Sequence, residues 1–341
     1  MKFDVEREVL VKIEAETNPG YGCDPDERKI GEYLSKGVVN IDKPAGPTSH
    51  QVSSWVRDIL EMKKAGHSGT LDPNVTGCLP VELEESSKIV RTLLPYGKEY
   101  IVVMKLHQDA SKKRVRKILK YFKGEMHQRP PLKCAVKRQL RKRSIYYINF
   151  LEKDGKYVLF RVGCEAGTYI RKLCHDVGLI LGVGAHMKEL RRTKAGSFDE
   201  ASLVNLHELK DAYEFYLESG DEKYLRKLIK PMEKGVQHLK KVWIKDGAIS
   251  AVCHGANLNA PGVVRLETEI EKGEMVALFS LKNELVALGT ALHDSKTIHG
   301  LTTGPVVELE RVIMDLDVYP RMWRKREGTI PEENKELKNS I

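Results

Sequence analysis

The alternation of strand-like and helix-like segments predicts an α+β fold with an additional small barrel. Between residues 38 and 230, short apolar runs such as 38–41 and 100–106 are interspersed with amphipathic stretches such as 111–122. Beyond residue 241 the pattern changes to short strand-like runs separated by turn signals. Runs of that kind without intervening helices are typical of a small all-β barrel.

Each element of the first region has a local signal. Thr48 and Ser49 precede a run with apolar residues on one face, which predicts a capped helix. Asp154 and Gly155 separate two apolar runs and predict a β-hairpin. The remaining apolar patterns predict a strand at 78–83 and helices at 169–181, 203–217 and 222–230.

Composition describes an ordinary globular protein with an excess of positive charge. The 341 residues suffice for two domains, and 41% of them are hydrophobic. No apolar run approaches the length of a membrane span, and the charged start lacks a signal segment. We therefore expect a soluble, prokaryotic intracellular protein of the cytoplasm. The net charge of +9 indicates a polyanionic partner if the basic residues cluster.

The basic residues do cluster in two places. Seven of them and no acid lie between Arg129 and Arg143. A second group contains Lys188, Arg191, Arg192 and Lys194. A solvated basic face is the simpler interpretation of either group, but two such groups in one chain favour contact with a polyanion backbone.

The cysteines and histidines do not predict a metal site. The six cysteines form no C-x-x-C pair, and the 11 histidines show no H-x-x-x-H spacing. We therefore expect no metal site.

The loop from Gly66 to Gly77 is the strongest candidate for catalysis. It contains one carboxylate, Asp72, followed by Pro73, which holds the preceding residue in an extended conformation. Such an acid can act as a nucleophile or a base. From the spacing alone, an Asp-Pro turn without catalytic function is the simpler interpretation.

Five motifs in order make the chain resemble the TruB-type RNA pseudouridine synthases. The Asp72 loop resembles the catalytic motif of that family, and Lys43-Pro44 resembles its entry motif. Lys98-Glu-Tyr100 and Gly167-Thr-Tyr169-Ile-Arg171 resemble the tyrosine and arginine motifs, and residues 184–193 resemble the segment that closes the pocket. The N-terminal arm, Arg129-Pro-Pro-Leu and a PUA-like C-terminal region resemble the archaeal and eukaryotic dyskerin branch.

The resemblance implies the pseudouridine synthase fold, with a mixed, mostly antiparallel central sheet crossed by the active cleft. It implies that Asp72 is the essential carboxylate, that Arg171 keeps it charged and that Tyr100 stacks under the uracil. From the helical pattern alone, Arg171 would be a surface residue. The same resemblance assigns residues of the substrate pocket: His67, which fills the space of a flipped-out base, and Tyr169, Leu190 and Lys43.

The resemblance also suggests RNA-binding positions. A family loop that clasps RNA corresponds to Lys137, Arg138, Arg141, Lys142 and Arg143. Arg191 and Arg192 belong to the second basic group, and Lys245 and Arg265 are candidate base-reading residues of the PUA-like barrel.

We expect four segments: an N-terminal arm at 1–36 packing on the barrel, a catalytic domain at 37–238, a PUA domain at 239–318 and a tail at 319–341.

The resemblance implies H/ACA guide RNA, rRNA and tRNA as partners, with uridine 55 of the tRNA T-loop as a guide-free target. It also implies three small proteins: zinc-ribbon-like, glycine/arginine-rich-type and kink-turn-binding. The main alternative is a non-catalytic RNA scaffold with a PUA module. The sequence lacks the motifs expected of another PUA-bearing enzyme, such as a methyltransferase or a base-exchange transglycosylase.

Overall fold

The structure is a computed structural model that describes residues 7–129 and 139–321. Its strands are β1 (Val9–Val11), β2 (Gly37–Lys43), β3 (Ala65–His67), β4 (Thr76–Leu83), β5 (Lys98–Leu106), β6 (Gly124–Gln128), β7 (Arg141–Asp154), β8 (Tyr157–Cys164), β9 (Ala185–Ala195), β10 (Phe198–Asp199), β11 (Leu203–Val204), β12 (Ile229–Pro231), β13 (Lys240–Ile244), β14 (Leu258–Asn259), β15 (Val263–Glu267), β16 (Met275–Phe279), β17 (Leu285–Ala291) and β18 (Pro305–Val312). Its α-helices are α1 (Ile30–Ser35), α2 (Ser49–Ile59), α3 (Val90–Leu93), α4 (Lys112–Tyr121), α5 (Ile170–Leu181), α6 (Leu206–Ser219), α7 (Lys223–Leu228), α8 (Met232–Gly235), α9 (Asp246–Cys253) and α10 (Ser295–Gly300).

The larger sheet is mixed and mostly antiparallel, as predicted. Its strand order is β11-β2-β4-β9-β5-β8-β7-β6, with β3, β10 and β12 attached at its sides. The two parallel pairs are β11 with β2 and β4 with β9. The β4–β9 contact is short, since only Thr76–Arg191 and Gly77–Arg192 are paired. This junction is therefore a narrow connection between the two halves of the sheet.

Each side of the junction has its own hydrophobic core. On one side, Ile41 and Leu79 pack among residues of α2 and α6. On the other side, Val102 and Phe160 pack among residues of α4 and α5. Because both halves are closely packed, the loops at the junction are supported from two sides.

Two predicted helices have different limits in the structure. Helix α6 begins at Leu206, because the Asn205 and Glu208 side chains each accept a hydrogen bond from the other's backbone N–H. The residues before this cap form the short strand β11. Helix α7 ends at Leu228, and the next three residues form β12 against β2.

The second sheet forms the predicted small β structure, with the order β1-β15-β13-β16-β17-β18-β14. Strand β1 comes from the N-terminal arm and pairs with β15, Val9 opposite Glu267 and Val11 opposite Arg265. The predicted tail begins too early at residue 319. Tyr319 is buried in the core of this sheet, and its hydroxyl donates to Glu284 at 2.7 Å.

A buried ion pair joins the N-terminal arm to the catalytic region. The Arg28 guanidinium donates to both carboxylate oxygens of Glu233, at 2.7 and 3.0 Å. Glu233 also accepts the backbone N–H of Leu285 at 3.0 Å, which connects the pair to the second sheet. Arm, catalytic region and second sheet therefore share one buried polar contact.

In the part of the chain that the structure describes, no helix combines the length and apolarity needed to cross a bilayer. Within the same residues, no cluster of three or more His, Cys, Asp or Glu side chains has a metal-binding arrangement. The five described cysteines are free thiols.

Candidate active site

Asp72 lies in the loop between β3 and β4, at the junction of the two sheet halves. The loop is held by its backbone: Ser49 Oγ accepts the N–H of Leu71 at 2.9 Å, and Val75 N–H donates to the Asp72 carbonyl at 3.0 Å. The Asp72 side chain remains half exposed. A fixed loop thus presents an accessible carboxylate.

The fully buried Lys43 side chain supports this loop. Its ammonium donates to the carbonyls of Pro44 and Pro73 at 2.8 Å and to that of Val75 at 3.0 Å. Burial and the nearby Arg192 lower the pKa of Lys43, whereas the charge of Asp72 raises it. Lys43 therefore positions the loop and adds a positive charge close to Asp72.

Arg171 meets Asp72 directly. Its Nε lies 3.1 Å from Asp72 Oδ2, and both side chains are partly exposed. Arg171 is the second residue of α5, whose start is fixed by Gln128. That side chain accepts the N–H of Tyr169 at 2.9 Å and donates to its carbonyl at 3.2 Å. Tertiary structure, not helical periodicity, brings this arginine to the carboxylate.

Tyr100 lies on β5 opposite Arg192 of β9, close to the same carboxylate. Burial raises the pKa of Tyr100 above its usual range, and the charge of Asp72 contributes in the same direction. The Arg192 guanidinium hydrogen-bonds the phenol and opposes this shift. A phenol with a raised pKa is a poor base at neutral pH, so the geometry favours a stacking role.

The structure corrects the assignment of Arg192 to an RNA-binding surface. Its side chain is 1% exposed, and it donates to the carbonyls of Cys78 at 2.7 Å and Gly69 at 3.0 Å. A Cβ atom at Gly77 would lie 2.2 Å from the Arg192 carbonyl oxygen, at a φ of +98°. Glycine is therefore required at 77 for β4 to approach β9.

Lys98 is a site residue to which sequence reasoning gave no role. Its ammonium donates to the carbonyls of Leu93, Leu94 and Tyr96, at 2.7 to 3.1 Å. Burial and the charge of Arg192 lower the pKa of Lys98 to about 7. The available signal was its place in the Lys98-Glu-Tyr100 motif.

His67 ends β3, just before the Asp72 loop, with its ring 4.8 Å from that of His50. Neither ring nitrogen has a hydrogen-bond partner among the residues that the structure describes. Burial, His50 and Arg192 lower the pKa of His67 to about 4, so the ring is neutral at pH 7. Among the other pocket positions, Leu190 is half-buried on β9 against the α5 core, and Tyr169 precedes α5.

Several predicted RNA-binding residues are engaged within the protein. Arg191 forms a bidentate pair with Asp42, at 2.9 and 3.0 Å, and also contacts Glu200 at 2.7 Å. These contacts raise the pKa of Arg191, and its role in RNA binding stays a prediction. Arg265 is stacked on the Trp243 ring at 4.7 Å, and the half-buried Lys245 precedes α9.

The predicted RNA-clasping loop is described only in part. Lys137 and Arg138 lie outside the described residues. Arg141 begins β7, Lys142 pairs with Glu125 at 2.6 Å, and Arg143 pairs with Glu165 at 3.3 Å. The pairs of Lys142 and Arg143 are partly exposed, so RNA phosphates can compete for these cations.

Four family models match consecutive parts of the chain. They are the DKCLD domain at 2–53, the N-terminal domain of TruB family pseudouridylate synthases at 57–170, the tRNA pseudouridylate synthase B C-terminal domain at 171–237 and the PUA domain at 240–313.

Curated relatives match nearly the whole chain. The probable tRNA pseudouridine synthase B of Methanopyrus kandleri is 55% identical, covering 95% of this chain and 96% of the relative. The proteins of the same name from Pyrococcus abyssi and Methanosarcina acetivorans are 55% and 53% identical. The match with the Pyrococcus abyssi protein covers 94% of this chain and 96% of the relative. The match with the Methanosarcina acetivorans protein covers 96% of this chain and 97% of the relative.

Solved structures agree in fold over the same length. A chain of a Cbf5–Nop10–Gar1 complex matches with a TM-score of 0.89 and 54% identity, covering 93% of this chain and 97% of that chain. A chain of an H/ACA RNP bound to a substrate RNA containing 2′-deoxyuridine matches with a TM-score of 0.89 and 52% identity. That match covers 94% of this chain and 98% of the other. The chain therefore belongs to the TruB family of pseudouridine synthases, and its DKCLD and PUA domains place it in the dyskerin branch that its motifs predicted.

Proposed function

We propose that this enzyme converts uridine to pseudouridine in RNA and that Asp72 is its essential carboxylate. The observation that carries the proposal is the half-exposed Asp72 carboxylate with Arg171 Nε at 3.1 Å. The loop that bears it is anchored through Lys43, and Tyr100 lies beside it. An accessible acid held among cations is suited to act on the sugar of a bound nucleotide.

The reaction needs no external reagent. The bond from ribose C1′ to N1 of uracil breaks, the base turns, and C1′ joins C5. The proton on C5 is released and N1 gains one, so atoms and electrons balance without a cofactor. Because the target cannot be reached inside a stack, the nucleotide must first be flipped out.

The site residues divide into two groups by contact. Asp72 acts on the ribose as the ionised carboxylate, which Arg171 stabilises electrostatically. Tyr100 supplies an aromatic surface for the extruded uracil, and Tyr169 and Leu190 shape the remaining wall. Lys43 and Arg192 are positioning residues: Lys43 donates to carbonyls of the loop, and Arg192 donates to the carbonyl of Gly69 and to the phenol of Tyr100.

We assign His67 to the space left by the flipped base. Its unpartnered ring nitrogens support this role, because buried polar atoms usually have partners in a completed structure. The neutral ring can stack on bases and hydrogen-bond an orphaned base edge without adding charge.

We infer the substrates and partners from the relatives. The curated relatives are named tRNA pseudouridine synthases, and solved relatives are bound to Nop10, Gar1 and substrate RNA within H/ACA assemblies. By analogy, this chain modifies rRNA with an H/ACA guide and uridine 55 of tRNA without one. Its partners are the small proteins of that assembly.

We also propose the domain division: an arm at 1–36 whose strand β1 lies on the second sheet, a catalytic domain at 37–238 and a PUA domain from 239 to at least Tyr319, which is buried in its core. The pairing of β1 with β15 supports the position of the arm. A cytoplasmic location is consistent with the free thiols of the described cysteines.

Tritium release from RNA labelled at uridine C5 tests the function. Asp72→Asn keeps the shape of the side chain but removes its charge, and we expect a loss of at least about a thousandfold, or 4 kcal/mol, in single-turnover rate. Asp58→Asn, at an exposed position of α2, is the matched control and should retain the wild-type rate. Full activity of the Asp72 variant would refute the proposal. Tight RNA binding by a wild-type protein that releases no tritium would favour the scaffold alternative instead.

A further inference from the structure

Helix α4 carries an exposed basic face that the proposed reaction does not use. Its ten residues and the two that follow contain no acid. Its buried residues are Val115 and Leu119, which belong to the core shared with α5. The basic face consists of seven exposed side chains: Lys112, Lys113, Arg114, Arg116, Lys117, Lys120 and Lys123.

These cations have no acidic partners within the described residues. None of the seven lies within 4.0 Å of a described carboxylate, although basic residues nearby are paired. Asp109, two residues before the helix cap Ser111, contacts Lys153 at 2.7 Å instead of a lysine of α4. The positive charge of the basic face is therefore directed to solvent.

The electrostatics of α4 do not favour the helix itself. Lys112 and Lys113 occupy its first turn, where cations oppose the helix dipole, and no acidic residue is present there. Lys113–Lys117 and Arg116–Lys120 are like-charged pairs at a spacing of four, each destabilising by a few tenths of a kcal/mol. A bound polyanion would turn this repulsion into a favourable interaction.

Aromatic residues accompany the charges. Lys112 and Arg116 lie over the Phe150 ring of β7, at 5.6 and 5.3 Å from its centroid. Tyr121, the last residue of the helix, has 77% of its surface exposed. Basic residues beside an exposed aromatic ring match the requirements of RNA, which offers phosphates and unstacked bases.

We propose that the basic face of α4 is a second RNA-binding surface, which binds the phosphate backbone outside the catalytic pocket. The choice of RNA as the polyanion rests on the proposed function. The helix is about 15 Å long, so it can follow the backbone over several phosphates without reading sequence. Since α4 packs on α5, which begins beside Arg171, RNA bound there is held by the same rigid half of the sheet as the cleft.

Lys113, Lys117 and Lys120 form one stripe of the helix and provide the test. The triple variant Lys113→Gln/Lys117→Gln/Lys120→Gln removes three charges and keeps good helix formers. The control variant Lys210→Gln/Lys223→Gln/Lys227→Gln removes three charges from exposed positions of α6 and α7. Binding of an unmodified tRNA transcript is measured by fluorescence anisotropy over a range of NaCl concentrations.

We expect the α4 variant to weaken binding at least about tenfold at low salt and to reduce the slope of log K against log[salt] by about 2 to 3, because each lost phosphate contact removes roughly one ion. The control variant should change neither quantity. Equal binding curves for the two variants would overturn the proposal.

A second measurement tests the proposal even if the α4 variant does not fold. In the wild-type protein, acetylation of Lys113, Lys117 and Lys120 is followed by mass spectrometry with and without the tRNA transcript. RNA should protect these lysines and leave Lys210 reactive, and equal acetylation with and without RNA would contradict the proposal. Both readouts also work with the Asp72→Asn protein, so a failure of the proposed catalysis is distinguishable from a failure of this surface.

Discussion

Glu82 provides a quantitative test of how the sheet beneath the catalytic loop is stabilised. It lies on β4 with no exposed surface, and no described residue donates a hydrogen bond of ordinary geometry to either carboxylate oxygen. Burial raises the pKa of Glu82 to about 8, and the nearby Ser68 hydroxyl offsets only part of this effect. We predict that Glu82→Gln stabilises the protein above pH 5.

The magnitude follows from the difference between the folded and unfolded states. An ordinary glutamate has a pKa of 4.5, and each unit of difference corresponds to about 1.4 kcal/mol. The raised pKa therefore costs the folded state up to about 5 kcal/mol at pH values above 8, and about 3 kcal/mol at pH 7. Glutamine has nearly the same volume and does not titrate, so the variant should lose this penalty.

The direction of the Glu82 pKa shift determines the pH range in which the two proteins differ in stability. Below pH 4.5 the carboxyl group is protonated in both states, so wild type and variant should have similar stability. Between pH 4.5 and about 8 the unfolded chain loses the proton and the folded protein keeps it, so wild-type stability falls as pH rises. Above pH 8 the difference should stay constant.

The assay is urea unfolding of wild type and variant at several pH values from 4 to 9. Glu189→Gln makes the same change at an exposed position of β9 in the same sheet and should leave the pH dependence unaltered. A Glu82→Gln protein that is less stable than wild type at pH 8, or that shows the same pH dependence, would refute the reasoning. In that case Glu82 would have to be ionised in a favourable contact.

Three further predictions concern the junction and the arm. Arg171→Gln removes a cation 3.1 Å from Asp72. The attraction between the two charges is worth about 1 kcal/mol in water and more once RNA covers the pair. Single-turnover tritium release should therefore slow at least tenfold, with little change in RNA affinity. Gly77→Ala should destabilise the protein by at least about 3 kcal/mol in urea unfolding, because the new Cβ would overlap the Arg192 carbonyl. Arg28→Met should cost about 3 to 5 kcal/mol in the same assay by leaving Glu233 charged, buried and unpaired.

Each of these predictions has a matched comparison. Arg57→Gln breaks an exposed ion pair of α2 and should keep full activity; equal rates for both arginine variants would exclude a role for Arg171. Gly31→Ala adds a methyl group in a helix with open space around it and should not destabilise. Adding Glu233→Gln to the Arg28 variant should restore part of the stability, and a further loss would contradict the assignment of an unpaired charge.

Local patterns in the sequence predicted most of the fold. The hairpin at Asp154-Gly155 and the helix ending at Leu181 depend on residues close in the chain, and the structure contains both. Helix α6 was predicted three residues early, because its cap is a reciprocal contact between Asn205 and Glu208 that apolar periodicity does not report. Strand β1 escaped prediction because its pairing partner lies more than 250 residues away.

The sequence by itself determined the Asp72 loop, the order of the motifs and the excess of basic residues, because these depend on residue type and spacing along the chain. Tertiary structure decided which basic residues serve the site. Arg171, on the polar side of its helix, reaches Asp72, whereas Arg192, from a basic cluster, is buried beneath the loop. The physical reason is that charges interact over a few ångströms in space, and the close contacts of β4, β9 and α5 that create those distances are set by packing between segments far apart in sequence.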